Sequence, residues 1–555
     1  MQTKIIPSRA RRTRLAHSLL GLLSIQLGGQ IAAQFLPTVS PAQAAWARTH
    51  IHHSHQATAP AVRSSAHTRA TVNGGGIAGG DYEAAVNSWL KRPEIAHSRV
   101  GVEVIELPSG RLLYSHDGEK RLTPASTTKV ITTSAAYELL GPDFKYKTTI
   151  DATGPVVNGV VKGDLILQPS QDPSFNRSDL LRLIDDMKNG RGGSEKITQV
   201  EGNAYVGGPP EGHESFQPTW LSEDFGQDWM PASSSLVIDR NIAFASGFPK
   251  QFHVSDDKST GHALLDSLLS SGEAASWVSF DAPRGIFHIY RGSAYSPSGT
   301  NDPAIKHDGP FVVANPDAFN QAIFQAMVAE SGIKLGADHG SPKLANTHAL
   351  AEHVSKPLSL LIKHCLYESD NLYAQQLLRS LGATTLGVGS PTGGKVSSKT
   401  LEDRGLFKLG DWLASIGVPN QEVVLFDGCG LSRKDCLSPH ALNLVLKHMA
   451  GPEIKSSYLN LMHQTGAKDG SGLFRLKTGA MDTVRGITGV LTNFSGQNVA
   501  VTAIINGHTP SVKNVRMALG DLIERLKRVK TQPSAPPPAA EAKETKGTKE
   551  PKVAT

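Results

Sequence analysis

The sequence predicts a mixed α/β protein of the α+β type, in which helices flank a central antiparallel sheet and one or two smaller β-rich domains are inserted. The 555 residues are too many for one hydrophobic core, so several domains are expected. A strand hairpin leads into a helix near residue 126, and three strand-like segments with an amphipathic helix end the folded part near residue 529. Between them, residues 143–310 become short apolar runs separated by Gly, Pro and Ser, which indicates an insertion.

The first 44 residues are predicted to be a signal peptide. Five basic side chains precede an apolar stretch from Leu15 to Leu36, and Ala42-Gln43-Ala44 is a small-x-small cleavage signal. An uncleaved membrane anchor is the alternative. Removing residues 1–44 lowers the formal net charge from +6 to +1, so the charge balance gives no indication of a nucleic-acid partner. Since no other run is long and apolar enough to span a bilayer, we expect export to the periplasm or cell wall, without a stable anchor after cleavage.

Low-complexity segments flank the predicted folded region. Residues 45–80 carry closely spaced histidines and a Gly-Gly-Gly run, which favours a flexible linker over a metal site. Residues 530–555 are rich in Pro, Ala, Lys and Glu and contain almost nothing to bury, so they are predicted to be disordered. Cys365, Cys429 and Cys436 lack metal-binding spacing, although Cys429 and Cys436 could pair in an exported protein. We expect no metal and no organic cofactor.

The elements between these segments follow from apolar periodicity and from Gly, Pro and Asn punctuation. Before the insertion, the expected elements are helix 82–90, strands 100–107 and 111–116, and a helix from 126 to 140. Within it they are strands 147–151, 156–161, 164–168 and 197–206 and helix 178–188. After it they are helices 316–331 and 358–380, strands 473–479, 485–491 and 499–506, and closing helix 515–529.

The first chemical motif is the pair Ser126 and Lys129 at the start of a predicted helix. Residues three apart lie on one helix face, so the two side chains can meet. A serine hydroxyl becomes a strong nucleophile only when a base takes its proton. A buried lysine can be that base, because burial and nearby positive charge disfavour the ammonium form. Alone, Ser-x-x-Lys arises often by chance and is usually a helix start with a solvated lysine.

Two further motifs follow in a meaningful order. Ser369-Asp370-Asn371 lies in the predicted helix 358–380, near its middle, and Lys477-Thr478-Gly479 lies in a predicted strand. Ser-x-x-Lys, Ser-Asp-Asn and Lys-Thr-Gly together are the signature of penicillin-binding proteins and class A β-lactamases. Since Ser369 and Asn371 are only two apart, they do not share one helix face, and a local distortion is expected to bring both to the cleft.

The chain resembles penicillin-binding protein 4-type D-alanyl-D-alanine carboxypeptidases/endopeptidases over about residues 80–528. Besides the motifs, Gly163-Asp164-Leu165-Ile166-Leu167 and Asp427-Gly428-Cys429-Gly430-Leu431-Ser432 resemble family segments. The long gap between Ser126 and Ser369 fits the insertion that this family carries there. The resemblance implies a penicillin-binding transpeptidase/β-lactamase-like domain formed by residues 81–142 and 311–529, with residues 143–310 inserted. Cys429 replaces a serine of the family, and the segment before Lys477 looks shortened.

The resemblance and the side chains together suggest a catalytic apparatus. Ser126 is expected to attack the carbonyl of the penultimate D-alanine, with Lys129 taking its proton. Ser369 is expected to pass a proton to the leaving amine, and Asn371 to hold both Lys129 and a substrate amide.

Further residues are expected to bind substrate. Lys477 and Thr478 suit a terminal carboxylate, and Gly479 allows the strand to approach the substrate closely. By resemblance, the backbone N–H of Ala480 completes an oxyanion site with that of Ser126. Asp224 is a weaker candidate, which by resemblance would face the diamino acid of the substrate.

The predicted function is serine D,D-carboxypeptidase or endopeptidase action on peptidoglycan stem peptides, with β-lactams as inhibitors that leave a stable acyl-serine. One alternative is a β-lactamase-like or esterase-like serine hydrolase on the same fold. Another is a catalytically weak wall-binding protein.

Overall fold

The computed structural model describes residues 79–530, except 192, 194, 209–214, 222–223, 256–276, 291–309, 342–346, 385–399, 452–456, 467–470 and 510. The predicted signal peptide, all but the last two residues of the linker, and the tail from residue 531 lie outside the described residues. Within the described part, none of the helices is both long enough and apolar enough to cross a membrane.

The central element is a six-stranded antiparallel sheet. Its strands are β1 Arg99–Glu106, β2 Leu112–His116, β17 His463–Thr465, β18 Phe474–Met481, β19 Val484–Thr492 and β20 Asn498–Asn506. They lie in the order β17-β18-β19-β20-β1-β2. The N-terminal hairpin thus joins the C-terminal strands through the β1–β20 pair, and the predicted antiparallel sheet is confirmed.

Helices cover both faces of this sheet. The α-helices in the described part are α1 Gly79–Leu90, α2 Thr128–Leu139, α3 Arg177–Asn189, α4 Pro316–Glu330, α5 Leu358–Glu368, α6 Asn371–Ala383, α7 Leu401–Ser415, α8 Pro439–Met449 and α9 Val512–Lys527. Strand β20 shows the two-residue period of a sheet between two cores. Val499 and Val501 pack in the core that holds α1 and α9, whereas Ala500 and Ile504 pack in the core that holds α2, α5, α6 and α8.

The described residues between 147 and 354 form three further sheets. Their strands are β3 Lys147–Ala152, β4 Val156–Val157, β5 Val160–Val161, β6 Leu165–Gln168, β7 Gln199–Val200, β8 Ala204–Val206, β9 Ile242–Ala243, β10 His253–Ser255, β11 Trp277–Asp281, β12 Ile286–Tyr290, β13 Phe311–Val313 and β14 His348–Val354. One sheet has the order β14-β3-β6-β8, a second β10-β12-β11-β13-β9, and a third β4-β5-β7. The described residues of this range, which we call the inserted unit, also include α3 and α4.

The end of the inserted unit lies later in the chain than the sequence predicted. Strand β14 pairs with β3, and Phe319 and Ile323 of α4 belong to the same buried cluster as β3 and β6. Placing the boundary between residues 310 and 311 was therefore wrong, because these later segments complete the sheet and core of the insertion. The single strand expected over 197–206 is instead the two short strands β7 and β8.

The helix expected over residues 358–380 is also wrong, since it is divided into α5 and α6. Ser369 between them has φ 58° and ψ 33°, in the left-handed region, which ends α5. Asp370 then caps α6 by accepting a hydrogen bond from the backbone N–H of Tyr373 at 3.2 Å. The short strands β15 Val423–Val424 and β16 Cys436–Leu437 pair with each other, and Leu437 also forms a bridge to Leu122.

Candidate active site

Ser126 lies in a 3₁₀ turn, Ala125–Thr127, which opens helix α2. Two glycines pack tightly against this turn. A Cβ at Gly479 would lie 2.6 Å from the carbonyl oxygen of Pro124 and 3.2 Å from the backbone nitrogen of Ser126. A Cβ at Gly430, which has φ 80°, would lie 2.0 Å from the carbonyl oxygen of Ala125. Strand β18 and the 427–432 loop can therefore approach the turn so closely only because both residues lack a side chain.

Lys129 is fully buried one turn beyond Ser126. Its Nζ lies 2.9 Å from Ser126 Oγ, 2.6 Å from Asn371 Oδ1 and 2.8 Å from the backbone carbonyl oxygen of Cys429. Carbonyl oxygens can only accept hydrogen bonds. An uncharged amine has two N–H bonds, which the two carbonyls would take, so its lone pair would face Ser126 Oγ. The arrangement is therefore suited to moving a proton from Ser126 to Lys129.

The break between α5 and α6 positions the second motif. Ser369 Oγ accepts a hydrogen bond from Lys477 Nζ at 2.8 Å. Asn371 begins α6, and its Nδ2 donates to the backbone carbonyl of Trp229 at 2.6 Å while its Oδ1 accepts from Lys129. Trp229 is itself 47 % exposed and belongs to the inserted unit. Asn371 therefore links Lys129 to the inserted unit. The second N–H of its side-chain amide makes none of the described hydrogen bonds.

Lys477 is the second buried lysine of the site and is 3 % exposed. Its Nζ donates to Ser369 Oγ and, at 2.8 Å, to the backbone carbonyl of Thr478. Burial and, to a smaller extent, the charge of Lys129 lower the pKa of Lys477 from 10.5 to about 7. An anion that binds here would offset both effects and hold the lysine in its charged form.

The edge of β18 beyond Leu476 is open in the described part of the chain. β17 pairs only with residues 474–476, whereas β19 pairs with the whole strand. Thr478 and Ala480 are exposed, and Gly479 between them faces the Ser126 turn. An extended peptide could therefore lie along this edge beside the nucleophile.

Asp224 is not brought into contact with the three motifs by any described hydrogen bond. It lies in a turn in which its backbone N–H donates to Leu221 and its carbonyl accepts from Gln227. Neighbours in sequence do reach the site. Trp220 Nε1 donates to Asp427 Oδ2 at 2.7 Å, and the carbonyl of Trp229 holds Asn371.

The structure adds two backbone carbonyls that sequence reasoning missed, those of Cys429 and Trp229. The first is held in place by Asp427, which accepts from the backbone N–H groups of Cys429, Gly430 and Ser432. A carbonyl occurs in every residue, so residue type gives no signal for such a role. The thiol of Cys429 is fully buried, and burial raises its pKa well above the ordinary value.

The three cysteines are not joined by disulfides. Cys365 is fully buried, and burial raises the pKa of its thiol to about 12, as suits an inert core residue. The pairing of Cys429 with Cys436 that the sequence left open is therefore absent.

Two serine–lysine pairs, an asparagine between them and an open strand edge define a class of enzyme that forms an acyl intermediate on serine. The chain belongs to the D-Ala-D-Ala carboxypeptidase 3 (S13) family, whose model matches residues 82–526. This confirms the predicted family and enzyme class, a serine D-Ala-D-Ala carboxypeptidase.

Curated relatives and solved structures agree with this assignment. The chain is 25 % identical over 459 residues to a D-alanyl-D-alanine carboxypeptidase of Actinomadura sp. (strain R39), covering 76 % of this chain and 80 % of that protein. It is 24 % identical over 471 residues to the D-alanyl-D-alanine carboxypeptidase DacB of Haemophilus influenzae, covering 78 % and 88 % respectively.

The crystal structure of penicillin binding protein 4 (dacB) from Haemophilus influenzae has a TM-score of 0.62 at 22 % identity, covering 80 % of this chain and 98 % of that one. A second structure of that protein, complexed with a β-lactam, has a TM-score of 0.58 at 22 % identity and covers 81 % and 98 %. These matches confirm the predicted penicillin-binding fold.

Proposed function

We propose that the chain hydrolyses the D-Ala–D-Ala bond of peptidoglycan stem peptides through an acyl-enzyme on Ser126. The observation that carries this proposal is the contact of Lys129 Nζ with Ser126 Oγ at 2.9 Å, with two carbonyl oxygens placed to accept the N–H bonds of the amine. A nucleophile and a base within hydrogen-bonding distance, the base in turn oriented by further groups, is the arrangement that covalent catalysis requires.

In the proposed acylation, Ser126 Oγ attacks the carbonyl carbon of the penultimate D-alanine while its proton moves to Lys129. A carbon–oxygen bond forms and the carbon–nitrogen bond to the terminal D-alanine breaks. Ser369, hydrogen-bonded to Lys477, passes a proton to the leaving amine. Water then attacks the acyl carbon and its proton goes to Ser369, while Lys129 returns to Ser126 the proton that it took.

The negative oxygen that forms during attack would be bound by the backbone N–H groups of Ser126 and Ala480. The close approach of Gly479 to the backbone nitrogen of Ser126 supports this assignment, because it brings the β18 backbone next to the nucleophile. Groups that are already in place when charge develops stabilise it without rearrangement.

The free carboxylate of the terminal D-alanine would bind Lys477 and Thr478. Lys477 is buried and carries two described hydrogen bonds, so one of its three N–H donors remains for a ligand. A cation in this position favours substrates that end in a carboxylate, as expected of a carboxypeptidase. We include endopeptidase action on cross-links, where the leaving D-amino acid also bears a nearby carboxylate.

We also retain Asp224 as a candidate for binding the diamino acid of the stem peptide. Its support is its position in the segment whose Trp220 and Trp229 contact the site. Asp224→Asn should raise KM for a peptide with a free side-chain amine and leave KM unchanged for the same peptide after acetylation of that amine. Equal KM values for the variant and the parent on both peptides would remove Asp224 from the site.

β-Lactams would act as inhibitors because their strained amide imitates the substrate and leaves an acyl group on Ser126. The β-lactam complex of the Haemophilus protein supports this expectation.

We further propose that residues 1–44 direct export to the periplasm or cell wall and are then removed. N-terminal sequencing of the mature protein should begin at Ala45, whereas a chain beginning at Met1 in the membrane fraction would identify an uncleaved anchor.

The test is release of D-alanine from a synthetic stem peptide ending in D-Ala-D-Ala, with Ser126→Ala as the control. The proposal predicts release by the parent protein and none above background by the variant. Rapid turnover of penicillin without peptide cleavage would instead indicate a β-lactamase-like hydrolase. Retention of both proteins on peptidoglycan, with no turnover by either, would indicate a wall-binding protein.

A further inference from the structure

The inserted unit contacts two consecutive residues of the second motif. The carbonyl of Trp229 accepts from Asn371, and Arg240 Nε lies 2.8 Å from Asp370 Oδ2. The side chain of Asp370 is 2 % exposed and that of Arg240 is 42 % exposed. The ion pair therefore lies at the boundary between the two parts of the protein, with the carboxylate on the buried side.

Arg240 is presented by an unusual turn. Asp239, Arg240 and Asn241 have φ values of 50°, 61° and 52°, so three successive non-glycine residues lie in the left-handed region. Asn and Asp enter this region more readily than other residues, but Arg does so rarely. Such a conformation persists only where the surrounding structure holds it.

The turn is held by buried polar contacts within the inserted unit. Asn241 is fully buried, and its Nδ2 donates to the carbonyl of Ala232 at 2.8 Å and to Ser234 Oγ at 3.0 Å. Its Oδ1 accepts from Asn320 of α4 at 3.2 Å. On the other side, Asp239 Oδ1 accepts from the backbone N–H of Arg177 in α3 at 3.1 Å. The direction of Arg240 is thus set by two helices of the insertion.

Asp370 connects the Arg240 turn to the second motif of the active site. It lies between Ser369 and Asn371, and its Oδ1 caps α6 through Tyr373. His364 Nε2 lies 3.4 Å from the same Oδ2 that Arg240 contacts. Burial alone would raise the pKa of Asp370, but hydrogen bonding from His364, the charge of Arg240 and the Tyr373 N–H together outweigh it and lower the pKa. Asp370 is therefore an anion with a partner on each side.

We propose that Arg240 is a positioning residue for the reaction, through which the inserted unit fixes Asp370 and so the orientation of Ser369 and Asn371. The proposal rests on the proposed acyl-serine function. Arg240 itself contacts no reacting atom. Its effect arises because Ser369 is held in a left-handed conformation between two helices, where loss of one anchor lets the motif rotate. Misplacement of a reacting group by about 1 Å can cost about 10²-fold in rate.

The test compares Arg240→Gln with the parent and with Arg191→Gln. Arg191 is a matched control, since it is also in the inserted unit and pairs with Asp185 at 2.7 Å, but it is 62 % exposed and distant in sequence from the motif contacts. The rate of acylation by penicillin and the final fraction of protein labelled are measured together. Arg240→Gln should acylate at least about tenfold more slowly and still reach full labelling, whereas Arg191→Gln should match the parent.

Two outcomes overturn the inference. In the first, Arg240→Gln acylates at the parent rate, whether or not a smaller fraction is labelled, because a merely structural role removes active molecules without slowing the rest. In the second, Arg240→Gln slows acylation equally in an Asp370→Asn background, because a residue that acts through Asp370 should then add little.

A second variant guards against a folding failure. Arg240→Lys keeps the charge and should give a rate between those of the parent and Arg240→Gln. If Arg240→Gln does not fold, Arg240→Met, which also removes the charge, takes its place, and a parent rate for that variant overturns the inference. Failure of the parent itself to be labelled on Ser126 would instead contradict the proposed function.

Discussion

Lys129 and Lys477 are both buried and each lies within hydrogen-bonding distance of a motif serine, at 2.9 and 2.8 Å, yet their surroundings differ. Lys129 has two further acceptors from distant parts of the chain, Asn371 and Cys429. Lys477 has one, the carbonyl of the residue that follows it. Among the described residues, Lys129 Nζ has three hydrogen-bonding partners, whereas Lys477 Nζ has two.

This difference assigns different tasks to the same residue type. The amine of Lys129 has a partner in each of its hydrogen-bonding directions, and Ser126 is the one partner that can donate a proton. Lys129 is therefore suited to exchanging a proton with Ser126. A lysine with a free direction and a lowered pKa is suited to receiving an anion from outside. A carboxylate bound beside Lys477 would balance the charge of that buried lysine.

The largest effect should come from replacing Lys129. Lys129→Gln leaves Ser126 without its base, and we expect acylation by penicillin to fall by at least about 10²-fold, since general bases contribute about 10²–10⁴-fold. Thermal unfolding checks that the variant folds. Lys120→Gln, at an exposed lysine paired with Asp117, is the control and should match the parent. Acylation of Lys129→Gln within threefold of the parent would exclude Lys129 as the base.

The effect of replacing Lys477 on kcat/KM should depend on the substrate. Lys477→Gln should lower kcat/KM about 10–100-fold for a peptide ending in a free carboxylate, because a hydrogen bond to a charged group contributes about 1.5–3 kcal/mol. For the same peptide with a C-terminal amide, the loss should be much smaller. The ratio of the two kcat/KM values is the measurement, and an equal loss on both substrates would contradict carboxylate binding by Lys477.

The pH dependence of kcat/KM should distinguish the carboxylate peptide from the amide peptide without any substitution in the protein. The pKa of Lys477 is lowered to about 7, so the free enzyme carries this charge below pH 7 and loses it as the pH rises through 7. We expect kcat/KM for the carboxylate peptide to fall above neutral pH by up to about tenfold per pH unit. The amide peptide should lack this decline. Superimposable profiles for the two peptides would show that the charge of Lys477 does not bind substrate.

The smallest effect should come from Cys429→Ser. Lys129 uses the backbone carbonyl of Cys429, and the buried thiol makes no part of that contact. We expect an acylation rate within about threefold of the parent, which is under 1 kcal/mol in activation free energy. Stopped-flow acylation measures it, with thermal unfolding alongside to detect the stability cost of a buried hydroxyl. A loss of 10²-fold in a folded variant would mean that the thiol, rather than the carbonyl, matters.

Much of the fold and the motif assignments could be predicted because their signals are local. The three C-terminal strands and the two hairpin strands show alternation and turn residues within a few positions. The motif residues are identifiable by type, and the structure brings Ser126, Lys129 and Asn371 together, and Ser369 together with Lys477.

The errors have non-local causes. Apolar residues continue at helical spacing across the break, since Cys365 and Leu372 are seven residues apart. Nothing local therefore marks the break at Ser369, which is fixed by the Asp370 cap. The late end of the insertion depends on pairing between β14 and β3, which are about 200 residues apart in sequence. The carbonyls of Cys429 and Trp229 gave no signal, since every residue carries this group. Arg240 was missed because its role depends on a left-handed turn that residue type does not predict.

The most direct measurement is labelling of the purified mature protein with penicillin, followed by mass spectrometry of the modified peptide. A stable adduct on Ser126, absent from Ser126→Ala and strongly slowed in Lys129→Gln, is the predicted result. An adduct on another residue, or an intact antibiotic with unmodified protein, would contradict the acyl-serine mechanism and with it the division of tasks between Lys129 and Lys477.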